Sequence, residues 1–521
     1  MLQPPFSKFD KIVLTIGIDA FLVYLVFGLT ILGIADRARL GSALYMVQFH
    51  FFLFSFGIAW LVAIPFIGKL KTGNKINIPR VILYVLVVKM AIISLFEFID
   101  YTFKSEFSIS GGNFQPFFPG YFDFAFMRTY ALNYLNGNPT IIYNGLEWVD
   151  AYYPPGVAFI YLFLTALNPF QSGLMYRFYM LWFEAGTCYF IYKIACIPKL
   201  GIPESIRNKG VIYCFFTITY LAISDFFAKY DTFIIFLTMV GMYYYFKGNL
   251  YISSILWTFC ALAKLYTIVW IMGVLVYHYK KSIEWDKTAH VSIFRRLLMI
   301  RDKTQFFTMM RYVLTCIITG TVILAVAWFF EGFKFFDVLF AFKYQLHDTY
   351  GMHVINIWFF LQYTGIPGIN IIPYALLFLT ALYITGKWKG ELTPEYFIRL
   401  TAITLLFYPA VNSFYIHWLM PMVCIDMLGS IKKVKILAVI EICAVYFEQT
   451  MNLYAVVNGI PLPIILAPGE VPALGFLLLR LANLGLFFVV LIALIFPEKF
   501  DRYFPREFNE KKIVMETAPT K

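Results

Sequence analysis

The sequence predicts an all-α polytopic membrane protein with about 14 transmembrane helices. The first observation is composition: of 521 residues, 61% are hydrophobic and 14% charged, whereas soluble domains carry about 25% charged residues. The second is that long apolar runs recur along the whole chain, with most charges between them. The third is that Lys and Arg concentrate in alternate loops, as they do on the cytoplasmic side of membrane proteins.

These basic loops explain the formal net charge of +12, so no nucleic-acid partner is expected. All seven cysteines lie in or beside apolar runs without metal-ligand spacing, and we expect them to be small buried side chains. The first apolar run is about 23 residues long and lacks a small-residue cleavage site. We therefore expect an uncleaved first span.

The N-terminal part is oriented by its basic loop. Spans one to three are expected at about 12–34, 44–67 and 81–99. The loop 68–80 holds four basic and no acidic residues, which places it in the cytoplasm and the end of span three outside. The first outer loop then covers residues 100–172.

The apolar run at 157–168 decides the orientation of everything that follows. It has only about 11 apolar residues, while a span needs about 20, so we expect a helix lying in the outer interface. Spans four to six then follow at about 174–196, 210–223 and 232–247.

The segment 249–279 begins and ends on the cytoplasmic side, so it must cross an even number of times. We expect a hairpin of two short spans with Lys264 near its outer tip. The charged tail 497–521 is expected in the cytoplasm. Spans nine to eleven are expected at about 312–330, 373–386 and 396–409. Span twelve is expected to end at about 429, and spans thirteen and fourteen are expected at about 436–456 and 473–496.

On this topology the outer face collects nearly all polar residues suited to chemistry, while the inner face carries almost only Lys and Arg. Asp123 precedes an amphipathic helix predicted at about 124–136. The dipole of that helix would keep the carboxylate ionised and able to accept a proton from a hydroxyl group. The alternative is an ordinary N-cap in a solvated loop.

A second cluster, formed by Asp225, Lys229 and Asp231, brings two carboxylates and an ammonium to a span boundary. An interfacial salt bridge is the alternative interpretation. A Mg²⁺ or Mn²⁺ ion between Asp231 and Asp123 is compatible with hard oxygen ligands, but the sequence establishes no cofactor.

Two basic residues interrupt apolar runs, Lys264 in CALAKLYTIVW and Arg480 in LLLRLANLGLF. Such residues are costly in a membrane and functional where they face a cavity, and near the headgroups they suit a phosphate. The alternatives are snorkelling of Lys264 to the surface and pairing of Arg480 with Glu441 or Glu448. Arg177 is a weaker candidate of the same kind.

Histidines of the outer loops are expected to contact substrate rather than zinc. His347, Asp348 and His353 have no third histidine nearby and form no HExxH motif, and Asn356 follows them. His417 lies beside a tryptophan in a later outer turn. The chain has no Walker loop, GxGxxG or GxSxG motif, so nucleotide-driven transport and the common hydrolase elbow have no support.

The order FDFAFMRTYALNYLNGNPTIIYN…YYPPG resembles the first outer loop of the GT-C superfamily of membrane glycosyltransferases, in particular the polyprenyl-phosphate-mannose-dependent α-mannosyltransferases. Asp123, Gly137, Pro139 and the run Tyr153-Pro154-Pro155 match the order of that loop. SDFFAKYDTF, the lysine hairpin, VINIWFF and NSFYIHWLMPMV resemble later segments, and the likeness covers about 100–430.

The resemblance divides the chain into four parts. These are two N-terminal spans with a basic loop at 1–80, a GT-C-like transmembrane catalytic core at 81–430, C-terminal spans at 431–496 and the tail at 497–521. The sequence departs from the family in its two extra N-terminal spans and in a single outer-loop acid where the family has a pair.

The resemblance implies transfer of a sugar, with mannose favoured, from a polyprenyl- or dolichyl-phosphate donor to a hydroxyl of a glycan or glycolipid acceptor. The transfer would occur on the outer or lumenal face with inversion. The implied roles are catalysis by Asp123 and Asp231, donor-phosphate binding by Lys264, Arg480 and Lys229, and substrate binding by Asp225, Tyr153, His353, Asn356 and His417.

The alternative function is a polytopic transporter or a flippase for lipid-linked sugars. That function predicts inverted repeats and spans broken at the membrane midplane, and the sequence displays neither clearly. A non-catalytic assembly partner is the third interpretation. The expected location is the plasma membrane in a prokaryote or the endoplasmic reticulum membrane in a eukaryote.

Overall fold

The structure is a computed structural model whose description covers part of the chain, and within that part the fold is almost entirely helical. The helices correspond to the apolar runs of the sequence. The described residues are 71–72, 75–103, 131–133, 135–136, 141–143, 146–148, 155–168, 173–202, 229–264, 266–285, 292, 299–331, 371–408, 413–426, 485 and 487–497.

Short connections or turns join several of the helices. In chain order the α-helices are α1 (Ile78–Phe103), α2 (Pro155–Leu167), α3 (Gly173–Ala195), α4 (Asp231–Phe246), α5 (Leu250–Ala263), α6 (Tyr266–Ser282), α7 (Lys303–Glu331), α8 (Ile371–Lys387), α9 (Pro394–Phe407) and α10 (Met420–Asp426). Within the described residues, two 3₁₀ helices lie at Pro198–Leu200 and Ser413–Trp418.

In the part of the chain that the structure describes, two small antiparallel hairpins interrupt the helical pattern. The first pairs β1 (Lys71–Thr72) with β2 (Lys75–Ile76), and the second pairs β3 (Ile141–Tyr143) with β4 (Leu146–Trp148). The two residues between β3 and β4 are Asn-Gly, which is the commonest dipeptide of tight hairpin turns. The all-α prediction missed both hairpins because their strands are only two or three residues long.

The helical hairpin predicted at 249–279 is present as α5 and α6, while its crossing of a membrane stays a prediction. The hydroxyl of Thr267 on α6 donates a hydrogen bond of 3.2 Å to the carbonyl of Trp257 on α5. The rings of Trp257 and Trp270 have centroids 5.5 Å apart. A continuous straight helix would separate residues ten apart by about 15 Å, so the chain must fold back after Ala263.

Only α7 within the described ranges provides a helix that is long and apolar enough to cross a membrane, over Lys303–Phe330. The expected total of about 14 spans is not supported by the described helices. Four shorter apolar helices have 10–17 residues. Predicted spans one, two, five and thirteen, at about 12–34, 44–67, 210–223 and 436–456, lie outside the described residues.

The bundle has two distinguishable ends, which the parallel helices α3 and α4 define. Phe183 packs on Phe233 near the start of α4, and Phe190 packs on Tyr243 near its end. One end holds the start of α4 and the turn between α5 and α6, and we call it the Lys264 end. We call the opposite end, where α6 finishes, the Lys281 end.

The helix predicted at 157–168 is present as α2, and its described contacts lie near the Lys264 end. Its Phe163 ring stacks on Phe233, with centroids 5.5 Å apart. The hydroxyl of Tyr179, two turns into α3, donates to the carbonyl of Leu167 at 2.7 Å. The helix therefore does not run to the Lys281 end, and its place in a membrane interface stays a prediction.

Candidate functional site

An ion pair joins two segments that are far apart in the sequence. Asp231 begins α4, and Lys264 lies in extended backbone between α5 and α6. The Lys264 Nζ atom lies 3.3 Å from Asp231 Oδ1, and the two side chains are 15% and 8% exposed. The pair is therefore largely withdrawn from solvent at the Lys264 end.

A third segment completes the site from the 3₁₀ helix at 413–418. The indole Nε1 of Trp418 donates a hydrogen bond of 3.2 Å to the same Asp231 Oδ1. Trp418 itself lies in a stack of three rings, with Tyr266 at 4.3 Å on α6 and Tyr415 at 4.2 Å. This stacking limits the orientations of the indole, so its N–H stays directed at the carboxylate.

Aromatic rings surround the ammonium of Lys264. Its Nζ atom lies 4.7 Å from the ring centroid of Tyr415, 5.1 Å from that of Tyr230 and 5.9 Å from that of Trp418. It also lies 3.4 Å from the hydroxyl oxygen of Tyr415. Ring faces attract cations, most strongly where water is excluded, so these rings compensate part of the cost of burying the charge.

The start of α2 packs directly against the turn that carries Lys264. A Cβ atom added at Gly156 would lie 2.7 Å from the backbone nitrogen of Ala263 and 2.8 Å from the carbonyl carbon of Leu262. Only glycine permits this backbone approach. The end of the YYPPG run is thereby connected to the site, although the sequence analysis assigned Gly156 no role.

Four of the predicted site residues lie in the described part of the chain. Asp231 and Lys264 are brought together, and Lys229 is half-buried two residues before Asp231. His417 is fully buried, next to Trp418. The remaining candidates, whose roles stay predictions, lie outside the described residues: Asp123, Tyr153, Asp225, His353, Asn356 and Arg480.

The described residues contain no group of three or more His, Cys, Asp or Glu side chains that could hold a metal ion. Asp231 uses one oxygen for Lys264 and Trp418. The Mg²⁺ or Mn²⁺ ion considered between Asp231 and Asp123 stays a prediction, because Asp123 lies outside the described ranges.

The sequence analysis missed two features. One is the aromatic surround of Lys264, whose rings come from the residue before α4 and from the 3₁₀ helix and share no sequence signal. The other is a buried pair, Lys89 on α1 and Glu184 on α3. Both residues interrupt apolar runs, VLVVKMAII and YMLWFEAGT. That signal singled out Lys264 and applied equally to them.

The arrangement suits the binding of an anion. An ammonium held by one carboxylate and three rings can exchange the carboxylate for a phosphate while it keeps its aromatic contacts. Comparison with protein-family models and with curated proteins gives no match. The function must therefore be inferred from the geometry and from the resemblance of the motifs.

Proposed function

We propose that the chain is a multi-pass membrane glycosyltransferase that transfers a sugar, with mannose favoured, from a polyprenyl-phosphate donor to a hydroxyl group of a glycan or glycolipid. The observation that carries the proposal is the ion pair of Asp231 and Lys264 inside its aromatic surround. Three segments resembling GT-C outer-face motifs, at 224–233, 253–271 and 412–423, supply these residues.

The surface of α7 supports a membrane setting. Its exposed apolar side chains follow one another at helical spacing along the whole length of the helix, as expected of a face in contact with lipid. They are Phe307, Met310, Leu314, Ile317, Ile318, Val322, Val326, Trp328 and Phe329. We propose that α7 is one of about 14 spans and that the Lys264 end faces away from the cytoplasm.

Basic residues at the opposite end support the same orientation. Lys199 lies over the ring of Phe246, Lys281 pairs with Glu391, and Arg301 approaches Glu284. Loops rich in Lys and Arg stay in the cytoplasm. A lipid-linked donor in the outer leaflet would therefore meet the Lys264 end.

In the proposed reaction the donor phosphate replaces Asp231 as the anionic partner of Lys264. The carboxylate, still held by the Trp418 N–H, then lies beside the sugar. There it stabilises the positive charge that develops on the anomeric carbon and ring oxygen. The phosphate is a good leaving group, so positioning of the reactants contributes most of the rate.

The bond changes follow an in-line displacement. The acceptor hydroxyl oxygen bonds to the anomeric carbon while the bond from that carbon to the phosphate oxygen breaks. The electron pair leaves with the polyprenyl phosphate, and the configuration inverts. The hydroxyl proton passes to a carboxylate base, for which Asp123 is the candidate.

The test is sugar transfer by the purified protein in lipid, with a panel of radiolabelled polyprenyl-phosphate sugars and glycolipid acceptors. Lys264→Met should lower transfer at least about 100-fold, because it removes the cation that binds the phosphate. Lys264→Arg should retain part of the activity. Lys281→Met, at the other end, is the matched control and should retain nearly all of it.

Circular dichroism and gel filtration establish whether each variant is folded. Transfer at the normal rate by folded Lys264→Met would exclude the site. Absence of transfer with every donor by the unaltered protein would exclude the activity.

A further inference from the structure

Tyr266, the first residue of α6, contacts the candidate site through its ring. It follows Lys264 by two residues, and its side chain is buried. The ring stacks on that of Trp418, with centroids 4.3 Å apart, and the Trp418 Nε1 atom donates to Asp231 Oδ1. One side chain therefore adjoins both the turn that carries Lys264 and the indole that holds Asp231.

The hydroxyl group of Tyr266 is bound to Thr238, in the interior of α4. The two hydroxyl oxygens lie 2.8 Å apart. Thr238 gives its single hydroxyl proton to the carbonyl of Ile234 at 2.8 Å, so Tyr266 is the donor to Thr238. The carbonyl of Thr238 accepts a further hydrogen bond of 3.1 Å from the Trp257 indole on α5. Thr238 is therefore held from both α5 and α6.

This anchor lies on the same helix as Asp231. Thr238 follows Asp231 by seven residues, two turns or about 10 Å along α4. Stacked rings can slide over each other, because a range of offset arrangements is favourable for an aromatic pair. The hydrogen bond to Thr238 removes this freedom from the Tyr266 ring. It thereby fixes the ring relative to the helix that carries Asp231.

The other ring in the stack cannot serve the same purpose. Tyr415 lies 4.2 Å from Trp418 but belongs to the same 3₁₀ helix, so the two residues move together. Tyr266 comes from α6 and connects that 3₁₀ helix to α4. The position of the Trp418 N–H over Asp231 thus depends on a residue outside its own segment.

We propose that Tyr266 and Thr238 are positioning residues for the candidate site: their hydrogen bond fixes the ring on which Trp418 stacks, and so holds the Trp418 N–H on Asp231. In the proposed reaction the donor phosphate takes Lys264, and the Trp418 N–H then remains to orient the carboxylate beside the sugar. The inference rests on the proposed function only for this effect on transfer.

The opposite end of the bundle contains the same hydrogen-bonded unit and provides a matched control. The hydroxyl oxygens of Tyr396 on α9 and Thr385 on α8 lie 2.7 Å apart, and Thr385 donates to the carbonyl of Ala381 at 2.8 Å. Both side chains are fully buried. Tyr396→Phe therefore removes a phenol hydroxyl from an equivalent setting at the Lys281 end.

The experiment compares Tyr266→Phe with Tyr396→Phe in protein labelled with ¹⁵N-tryptophan and held in lipid. Each substitution removes one hydroxyl group and keeps the ring. NMR of the indole N–H groups, with the Trp418 signal assigned by its loss in Trp418→Phe, reports the hydrogen bond to Asp231. No substrate is needed for this measurement.

We expect the Trp418 proton signal to move upfield in Tyr266→Phe, because a longer hydrogen bond to the carboxylate deshields the proton less. Tyr396→Phe should leave the signal in place, although both variants lose a buried hydrogen bond and should unfold at similarly lowered temperatures. Thr238→Val removes the acceptor and should move the Trp418 signal in the same direction. It also decides the point if Tyr266→Phe does not fold.

The second measurement is sugar transfer. In Tyr266→Phe the kcat should fall about fivefold or more, while the KM for the donor stays within about twofold, since Lys264 is unaltered. Tyr396→Phe should retain both values. A merely structural role would affect the two tyrosine variants alike.

An unchanged Trp418 signal in folded Tyr266→Phe would overturn the proposal, and so would an equal movement in Tyr396→Phe. Either result would make the hydroxyl contact an ordinary part of helix packing. If the unaltered protein transfers no sugar, the proposed function fails, while the indole signal still decides whether Tyr266 positions Trp418.

Discussion

Two Lys–acid pairs of the same chemistry lie at opposite ends of the bundle and differ in their surroundings. Lys281 and Glu391 approach to 2.9 Å with side chains 40% and 83% exposed. Lys264 and Asp231 stand 3.3 Å apart with side chains 15% and 8% exposed. The closer pair is the exposed one. Lys281 lies over one ring, that of Tyr277, whereas Lys264 lies among three. Burial and the number of aromatic neighbours, rather than distance, distinguish the pair suited to bind an anion.

The physical reason is the cost of leaving a charge without its partner. Water solvates either member of an exposed pair when the other is removed, so such pairs contribute about 0–1 kcal/mol. A buried member cannot be solvated, and removal of its partner costs several kcal/mol. The same property allows an incoming anion to bind Lys264 strongly once it displaces Asp231.

The largest expected difference between the two ends comes from neutralising the acid of each pair. Asp231→Asn should destabilise the protein by about 2–3 kcal/mol, because it leaves the Lys264 ammonium in its aromatic surround without a counter-charge. Glu391→Gln should cost less than about 1 kcal/mol. Thermal unfolding of both variants in the same detergent measures the difference, and equal melting temperatures would refute the contrast.

A smaller effect should follow from adding a methyl group at the contact between α2 and the Lys264 turn. In Gly156→Ala the Cβ atom would meet backbone atoms of Leu262 and Ala263, which cannot rotate away, so we expect a loss of about 2 kcal/mol. Gly386→Ala in α8 is the control, since its Cβ atom would have no neighbour within 4 Å.

The Gly386 control should be neutral or stabilising by about 0.5 kcal/mol, because alanine favours helix over glycine. The melting temperatures of the two variants measure this difference in stability. If Gly156→Ala were as stable as Gly386→Ala, α2 would not be packed on the turn.

The smallest effect is the pH dependence of the exposed pair. The hydrogen bond from Lys281 lowers the pKa of Glu391 below its ordinary 4.5, while burial acts to raise it. The stabilisation is therefore present above the ordinary pKa and is lost as the pH falls through the lowered one. The difference in melting temperature between the unaltered protein and Glu391→Gln should be small at pH 7 and vanish once the pH is below the lowered pKa of Glu391. A difference that persists at that pH would show another cause.

The helices were predictable because an apolar run requires its backbone to be satisfied internally. The hairpin around Lys264 followed from the charges that flank 249–279, and the helix at 157–168 followed from its length. Lys264 is predictable because a charged residue in apolar sequence is costly, and Asp231 because it belongs to a charged cluster at a span boundary. Lys89 and Glu184 carry the same signal and were overlooked.

The sequence by itself determined the helical fold, the turn at Lys264 and the separation of basic loops from the candidate site. Only the tertiary structure decided that Lys264 pairs with Asp231, that Trp418 and Tyr415 approach them and that Gly156 packs on the turn. The reason is that hydrophobic periodicity and charge bias act within a segment. Contacts between residues 33 to 187 positions apart depend on how whole helices pack, which no local pattern encodes.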